Sequence, residues 1–250
     1  MDSTIVRAHH ESAGLAVAGE TLDALEQALT EEKGGSVAHS ATGVARDRSQ
    51  AAPDQEDTGT SAGQERAVLR RRRKARAKAA GLGRSRGGLS SKIHAAVDAS
   101  GLPLAFVLTP GQAADCPQFQ ALLNQIRVPG QIRVPGVAGR PRTRPDAVAA
   151  DKAYSSKANR AYLRRRRITA VIPEKTDQQT NRKKKGSVGG RQVSFDPALY
   201  KRRNTVERFF QKIKTWRGLA TRYDKSPHSY EAGLRLRAAI MWLKTLTPTT

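Results

Sequence analysis

The segment from Tyr200 to Lys214 constrains the fold most, because two different stripes repeat in it at helical spacing. The apolar stripe consists of Val206, Phe210 and Ile213, and a helix has to bury such a stripe against another element. The polar stripe, within about 40° on a helical wheel, consists of Tyr200, Arg203, Glu207 and Lys214. The sequence therefore predicts one amphipathic helix. Its single carboxylate among cations suits a divalent metal beside phosphate, but this helix alone favours a basic surface helix with one Glu–Arg pair.

Aspartates stand in two other apolar segments. The chain opens with Met1-Asp2-Ser3-Thr4-Ile5-Val6-Arg7-Ala8-His9, and a later strand-like run ends in Ala149-Ala150-Asp151-Lys152-Ala153-Tyr154. With the spacing Tyr-x2-Arg-x3-Glu-x6-Lys of 200–214 and the following Thr221-Arg-Tyr-Asp-Lys225, they resemble the DDE transposases of bacterial insertion sequences, of the insertion-sequence four/five type. Residues 82–94 and 104–112 are also similar to family sequence. The resemblance covers residues 1–10 and 82–246.

The resemblance implies a fold of the α/β class. It is a ribonuclease-H-like mixed five-stranded sheet, with helices on both faces and a polar insertion, here residues 174–199, before the last catalytic helix. In that architecture the strands that carry Asp2 and Asp151 are neighbours, and the helix that carries Glu207 lies across them. Family members also have residues before the first aspartate, so the resemblance implies a chain truncated at its N-terminus.

The resemblance also implies a chemistry and its partners. Asp2, Asp151 and Glu207 would be the catalytic residues and the metal ligands, and Mg²⁺, for which Mn²⁺ can substitute, prefers such oxygen donors. The expected reaction is cleavage at insertion-sequence ends followed by strand transfer into target DNA through 3′-OH attack. The DNA contacts would come from Tyr200, Arg203, Lys214 and Arg217. The expected partners are the terminal inverted repeats, the target DNA and a second copy of the chain in a homodimer.

Charge supports a polyanionic partner. The chain has 45 Lys and Arg residues against 22 Asp and Glu residues, a formal net charge of +23. Residues 11–65 hold 11 acidic and three basic residues, which leaves 42 basic and 11 acidic residues elsewhere. Such an excess favours phosphate contacts and counterion release. A single cysteine, Cys116, excludes an internal disulfide framework and fits a reducing cytoplasm. The expected location is the bacterial cytoplasm, in association with the nucleoid, with no membrane segment.

Three domains are predicted. Residues 1–10 form the truncated first strand, 11–81 an insertion that is largely disordered, particularly over 33–66, and 82–250 the catalytic domain. The insertion includes a predicted short helix over 21–29 and the basic run 70–78. That run either contacts DNA phosphate or is a solvated charged surface, and the sequence favours neither.

Within the catalytic domain, the apolar runs 92–97 and 104–108 predict a hairpin. A helix follows, with Asp115 and Gln118 as a capping box. Next come a tandem hexapeptide at 125–136, strands at 147–150 and 168–172 on either side of a basic helix, and a last helix over 229–246. Two functions remain open: an active transposase catalytic domain, or a catalytically inactive truncated fragment that binds DNA.

Overall fold

A computed structural model describes residues 1–13, 24, 27, 61–127, 143–193 and 196–246. Strands and helices are interspersed through these ranges, so the predicted α/β class is confirmed. The strands are β1 (Asp2–Ala8), β2 (Gly83–Ser85), β3 (Gly88–Val97), β4 (Pro103–Pro110), β5 (Ala147–Ala149), β6 (Thr169–Val171) and β7 (Thr221–Arg222). The helices are α1 (Ser61–Ala79), α2 (Gln118–Asn124), α3 (Lys157–Arg165), α4 (Thr176–Lys184), α5 (Pro197–Lys201), α6 (Asn204–Lys214), α7 (Arg217–Ala220) and α8 (Pro227–Leu246).

The main sheet is built on β3, which pairs with β1 along one edge and with β2 and β4 along the other. β1 runs antiparallel to β3, with Asp2 opposite Ala95, and β7 adds in parallel at the far end of β1. The predicted hairpin is confirmed as β3 and β4. Its turn is held by the Asp98 carboxylate, which accepts the backbone N–H groups of Ser100 and Leu102. The sheet is therefore mixed, and β1 lies inside it.

Two apolar clusters cover the two faces of this sheet, because side chains alternate along each strand. The first cluster joins the strands to α6 and α8 and includes Val6, Ile93, Ala95, Phe106, Val206, Phe209, Phe210, Ile213 and Leu234. The second joins β3 and β4 to α2 and α3 and includes Ala96, Ala105, Phe119, Leu122, Leu123, Tyr162 and Leu163. Each fully buried large side chain contributes about 1.5–3 kcal/mol. Helices thus pack on both faces, and α6 is fixed against the face of β1 that carries Val6.

The prediction of one five-stranded sheet that contains both aspartate strands is wrong in its membership. The five strands are β1, β2, β3, β4 and β7, whereas β5 and β6 form a separate parallel pair. β1 begins at Asp2, so only the amino group of Met1 reaches β5, where it donates to Ala149 O at 2.7 Å. One hydrogen bond is too few for a strand ladder. The two sheets nevertheless meet at this point.

Two segments are more regular than the sequence predicts. Helix α1 begins at Ser61, so the irregular segment predicted over 33–66 does not reach residue 66. The reason is local composition, since residues 61–79 are rich in Ala, Arg and Lys, which are strong helix formers. The polar insertion 174–199 contains α4 and the start of α5. Its first part is held by the Arg182 guanidinium, which donates to both carboxylate oxygens of Glu174.

Several predictions lie mainly outside the described residues. Of the helix predicted over 21–29, Ala24 and Gln27 are described and both are helical. Most of the hexapeptide repeat and of the segment 33–66 is not described, so the division into three domains stays a prediction. Within the described ranges, no helix combines the length and apolar character needed to cross a membrane.

Candidate active site

The first aspartate is placed by the alternation of side chains along β1. Lys214 of α6 donates to Thr4 Oγ1, and Val6 packs in the cluster that includes α6. Asp2 shares that face because it is two residues before Thr4. Its Oδ1 accepts the backbone N–H of Ser3 at 2.9 Å. The side chain of Asp2 is 20% exposed, so its carboxylate points toward α6 from a mostly buried position.

The second aspartate stands where the short parallel sheet ends. Asp151 follows β5 after one buried alanine, and its Oδ1 accepts the N–H of Lys152 at 2.7 Å at the start of a 3-10 turn over Lys152–Tyr154. The hydrogen bond from the Met1 amino group to Ala149 O brings this turn beside the start of β1. Burial raises the pKa of Asp2, and the negative charge of Asp151 adds to the rise. The two carboxylates therefore lie close enough to repel each other.

The glutamate segment is two helices, and the prediction of one continuous helix from Tyr200 to Lys214 is wrong. α5 ends at Lys201 and α6 begins at Asn204. Between them the N–H of Arg203 bonds to Tyr200 O, and the N–H of Val206 bonds to Arg203 O. These i to i+3 hydrogen bonds tighten the backbone without reversing its direction. The polar stripe therefore survives the break, and the Arg203 guanidinium lies 5.9 Å from the ring centre of Tyr200.

Arg203 joins the carboxylates that come from the strand and from the helix. Its Nη1 donates to Asp2 Oδ2 at 2.5 Å, and its Nη2 donates to Glu207 Oε1 at 2.7 Å. Burial acts to lower the pKa of Arg203, but the charges of Asp2, Glu207 and Asp151 outweigh it and the pKa is raised. Carboxylates from β1 and from α6 thus bond to one guanidinium, and the charge of Asp151, at the end of β5, also acts on it.

The remaining predicted DNA contacts are placed unequally. Lys214 Nζ donates to Thr4 Oγ1 at 2.7 Å and to Ile5 O at 3.3 Å, and burial lowers its pKa. Its ammonium therefore lies along β1, two residues from Asp2. Arg217 is exposed at the start of α7 and forms no ion pair or side-chain hydrogen bond with the described part of the chain. The structure brings Tyr200 and Arg203 to the carboxylates, places Lys214 along β1 near Asp2, and does not bring Arg217 there.

A half-buried polar cluster around Asp115, behind β1, is absent from the sequence predictions. Asp115 Oδ1 accepts Ser3 Oγ at 2.8 Å and Lys92 Nζ at 3.2 Å, and it lies 3.6 Å from His94 Nδ1. The predicted capping box is wrong for this reason: α2 has Pro117 as its N-cap residue, without a side-chain hydrogen bond. Burial raises the pKa of Tyr154, and the charge of Asp115 adds to the rise. Asp115 is the only acidic residue in 99–145, which is the signal that could have drawn attention to it.

The three carboxylates fit a hard divalent cation in their chemistry. All their donor atoms are oxygens, as Mg²⁺ prefers, and burial raises the pKa of Asp2 despite the opposing charges of Arg203 and the N-terminus. As the side chains stand, no three His, Cys, Asp or Glu residues within the described ranges are close enough together to hold one ion. Arg203, between Asp2 and Glu207, supplies the positive charge there.

Comparison with known proteins identifies the family. The model of the transposase DDE domain matches residues 1–242, which is nearly the whole chain. The chain belongs to the DDE transposase family. Asp2, Asp151 and Glu207 of this transposase domain all fall inside the matched range. The resemblance found in the strand, turn and helix motifs is therefore confirmed.

Two relatives connect this transposase domain with insertion sequences. Each is 31% identical to it over 156 residues, or 62% of the chain. One, from Brucella ovis, is named as a transposase for insertion sequence element IS6501, and the match spans 100% of that protein. The other, from Burkholderia cepacia, is named as a transposase for insertion sequence element IS402, and the match spans 64% of it. No solved structure matches the chain.

Proposed function

We propose that this transposase domain cleaves DNA at the ends of an insertion sequence and joins the 3′ ends to target DNA. The observation that carries the proposal is that Arg203 bonds to both Asp2 and Glu207 and is also acted on by the charge of Asp151, although the three carboxylates are far apart in the sequence. The mixed sheet with helices on both faces supports a ribonuclease-H-like fold. The reaction comprises two in-line displacements at phosphorus: water first releases a 3′-OH end, and that hydroxyl then attacks a target phosphodiester.

The metal would be held by Asp2, Asp151 and Glu207. Mg²⁺, with Mn²⁺ as a substitute, supplies Lewis-acid polarisation of the phosphate and lowers the pKa of the attacking water or hydroxyl. Asp151 and Glu207 each use one oxygen in the hydrogen bonds described above and keep the other for such a ligand role. Asp2 uses both of its oxygens, one of them for Arg203. We infer that Arg203 holds the Asp2 carboxylate in its charged form and in a fixed orientation.

The cations beside the carboxylates would bind the DNA backbone. Arg203 has five N–H donors, of which the carboxylates use two, so its remaining donors suit a phosphate oxygen. Lys214 would hold a second phosphate along β1, and Tyr200 would place its ring against the sugar or the base. Arg217, exposed on α7, would contact DNA farther away. The proposed partners are therefore terminal inverted repeats and target DNA, bound by a homodimer in the cytoplasm, on the nucleoid.

Neutral substitutions of the carboxylates test this proposal. Asp151→Asn and Glu207→Gln should each abolish Mg²⁺-dependent nicking and strand transfer on DNA that carries the element's own ends, while DNA binding is nearly unchanged. Glu231→Gln, on α8 and paired with Arg235, is the matched control and should retain activity. If the wild-type chain cleaves DNA and Glu207→Gln cleaves it equally well, the three-carboxylate proposal is wrong.

A second function is favoured by one observation. Arg203 ties Asp2 and Glu207 together without a close carboxylate trio, as a protein that binds DNA but does not cleave it could also do. A catalytically inactive DNA-binding transposase fragment is therefore the alternative proposal. Absence of cleavage in Mg²⁺ and Mn²⁺, together with tight binding of the element's ends, would favour it.

A further inference from the structure

Helix α1 is attached to the sheet through its C-terminal end. Ala75 is completely buried, and the N–H of Leu82 bonds to Ala77 O. The chain then turns at Gly81, whose carbonyl accepts Ser91 Oγ of β3 at 2.7 Å. These contacts fix the direction in which α1 extends from the main sheet. A groove of about 1140 Å³ remains between α1 and the adjacent ends of β2, β3 and β4.

The side of α1 that faces this groove is cationic. The basic residues that line the groove are Arg66, Arg70, Arg73, Lys74, Lys78 and Arg84. Five of them lie on α1 at spacings of three, four or one, which places them on one side of the helix. None of the described residues that line the groove is acidic. A helix that packs beside a sheet ordinarily turns an apolar stripe toward it. A cationic stripe in that position calls for an anionic occupant.

Most of these cations have no ion-pair partner among the residues that the structure describes. Arg66, Arg70, Arg73, Lys74 and Arg84 are exposed and form no ion pair or side-chain hydrogen bond with the described residues. Their mutual repulsion is therefore not relieved by any carboxylate of the described residues that line the groove. Other cations of the same run, Arg71, Arg72 and Arg76, do not line the groove. The run is thus divided into a groove side and an outer side.

We propose that this groove binds the sugar–phosphate backbone of duplex DNA. Its volume exceeds the ~300–1000 Å³ of ordinary small-molecule sites, which favours a polymer. Leu89, at the groove, is six residues along β3 from Ala95, the partner of Asp2, so the groove lies about 20 Å from the carboxylates. That distance corresponds to about six base pairs of DNA at 3.4 Å each. This assignment rests on the proposed function: the groove holds the part of the DNA that extends away from the cleaved phosphate.

Two triple substitutions in one helix test the groove. The groove variant is Arg70→Gln, Arg73→Gln and Lys74→Gln, and the control is Arg71→Gln, Arg72→Gln and Arg76→Gln. Both remove three charges and insert the same helix-forming residue, so circular dichroism should show equal helix content. The measurement is Kd for a fluorescent duplex by anisotropy over a range of salt concentrations. EDTA is present and the chain carries Asp151→Asn, so cleavage plays no part.

In the groove variant, the negative slope of log K (K being the association constant for DNA) against log salt should become less steep by about 2.7, which is about 0.9 for each of three lost phosphate contacts. In the control, the slope should change by less than about 1. Equal slopes for the two variants would overturn the proposal. Polyglutamate of matched charge should compete poorly with DNA, and equal competition would also overturn it, in favour of an acidic protein partner. Because cleavage is not measured, failure of the groove leaves the proposed function standing, and loss of cleavage leaves the groove result standing.

Discussion

Replacing Arg203 should both weaken the fold and make its stability depend on magnesium. The hydrogen bond to Asp2 joins side chains that are 21% and 20% exposed, and a charge-assisted bond of that kind contributes about 1.5–3 kcal/mol. The bond to Glu207 ends on a side chain that is 48% exposed, so it contributes only about 0.5 kcal/mol. We therefore expect Arg203→Ala to lower the free energy of unfolding by about 2–3 kcal/mol in EDTA.

Magnesium should replace part of the positive charge that Arg203 supplies to the carboxylates. Without the guanidinium, the carboxylates of Asp2, Asp151 and Glu207 repel one another, and a bound divalent cation removes that repulsion. Arg203→Lys keeps the charge but offers the two carboxylates one nitrogen instead of a planar guanidinium, so we expect it to lose about half as much stability.

Urea unfolding, followed by circular dichroism in EDTA and in excess MgCl₂, measures both effects. The control is Arg235→Ala, which breaks an exposed pair with Glu231 and should cost about 0.5 kcal/mol or less. Mg²⁺ should stabilise Arg203→Ala more than the wild type. Equal losses in Arg203→Ala and Arg235→Ala, or an equal Mg²⁺ effect on wild type and Arg203→Ala, would refute the reasoning.

Two further predictions concern buried groups. Burial lowers the pKa of His94 to about 4, the charge of Lys92 lowers it further, and the charge of Asp115 opposes the shift. Between about pH 6.5 and 4, His94 is therefore protonated in the unfolded chain and neutral in the folded chain. The contribution of neutral His94 to the free energy of unfolding is fully present above pH 6.5 and decreases by up to about 3 kcal/mol as the pH drops to 4. Urea unfolding of His94→Gln across this range should not show that decrease. Arg222 is completely buried and donates to Ser91 Oγ at 2.6 Å and to Asp224 O at 3.0 Å. Arg222→Met should cost about 3 kcal/mol or more in thermal unfolding because buried acceptors lose their donor, and a loss below about 1 kcal/mol would contradict this account.

The sequence predicts the elements around the site well where periodicity is strong. The hairpin, α2 and α8 follow from apolar runs and apolar spacing, and each buries most of the residues that define them. The approach of Asp2, Asp151 and Glu207 is a different kind of prediction, because it comes from the family resemblance. Spacing along the chain carries no information about which strands become neighbours.

Long-range polar contacts account for the failures. The capping box at Asp115 fails because its carboxylate is taken by Ser3, which is 112 residues away. The prediction of one continuous helix is wrong at residues 202–203, in the segment from which the Arg203 side chain bonds to Asp2. Arg222 lies in a motif recognised from the sequence, yet nothing local distinguishes a buried arginine from an exposed one. Periodicity describes burial along one element and does not identify partners on another.

The ion pair between Arg203 and Asp2 joins residues 201 positions apart, which has a consequence for synthesis. At 5–20 residues per second, a ribosome needs roughly 10–40 s after Asp2 to produce α6. Until then β1 lacks Arg203, Lys214 and its neighbour β7, so one of its edges is free to pair wrongly or to aggregate. A nascent or C-terminally shortened chain thus carries both aspartates without their glutamate. Any activity that depends on all three carboxylates begins only after α6 has been synthesised.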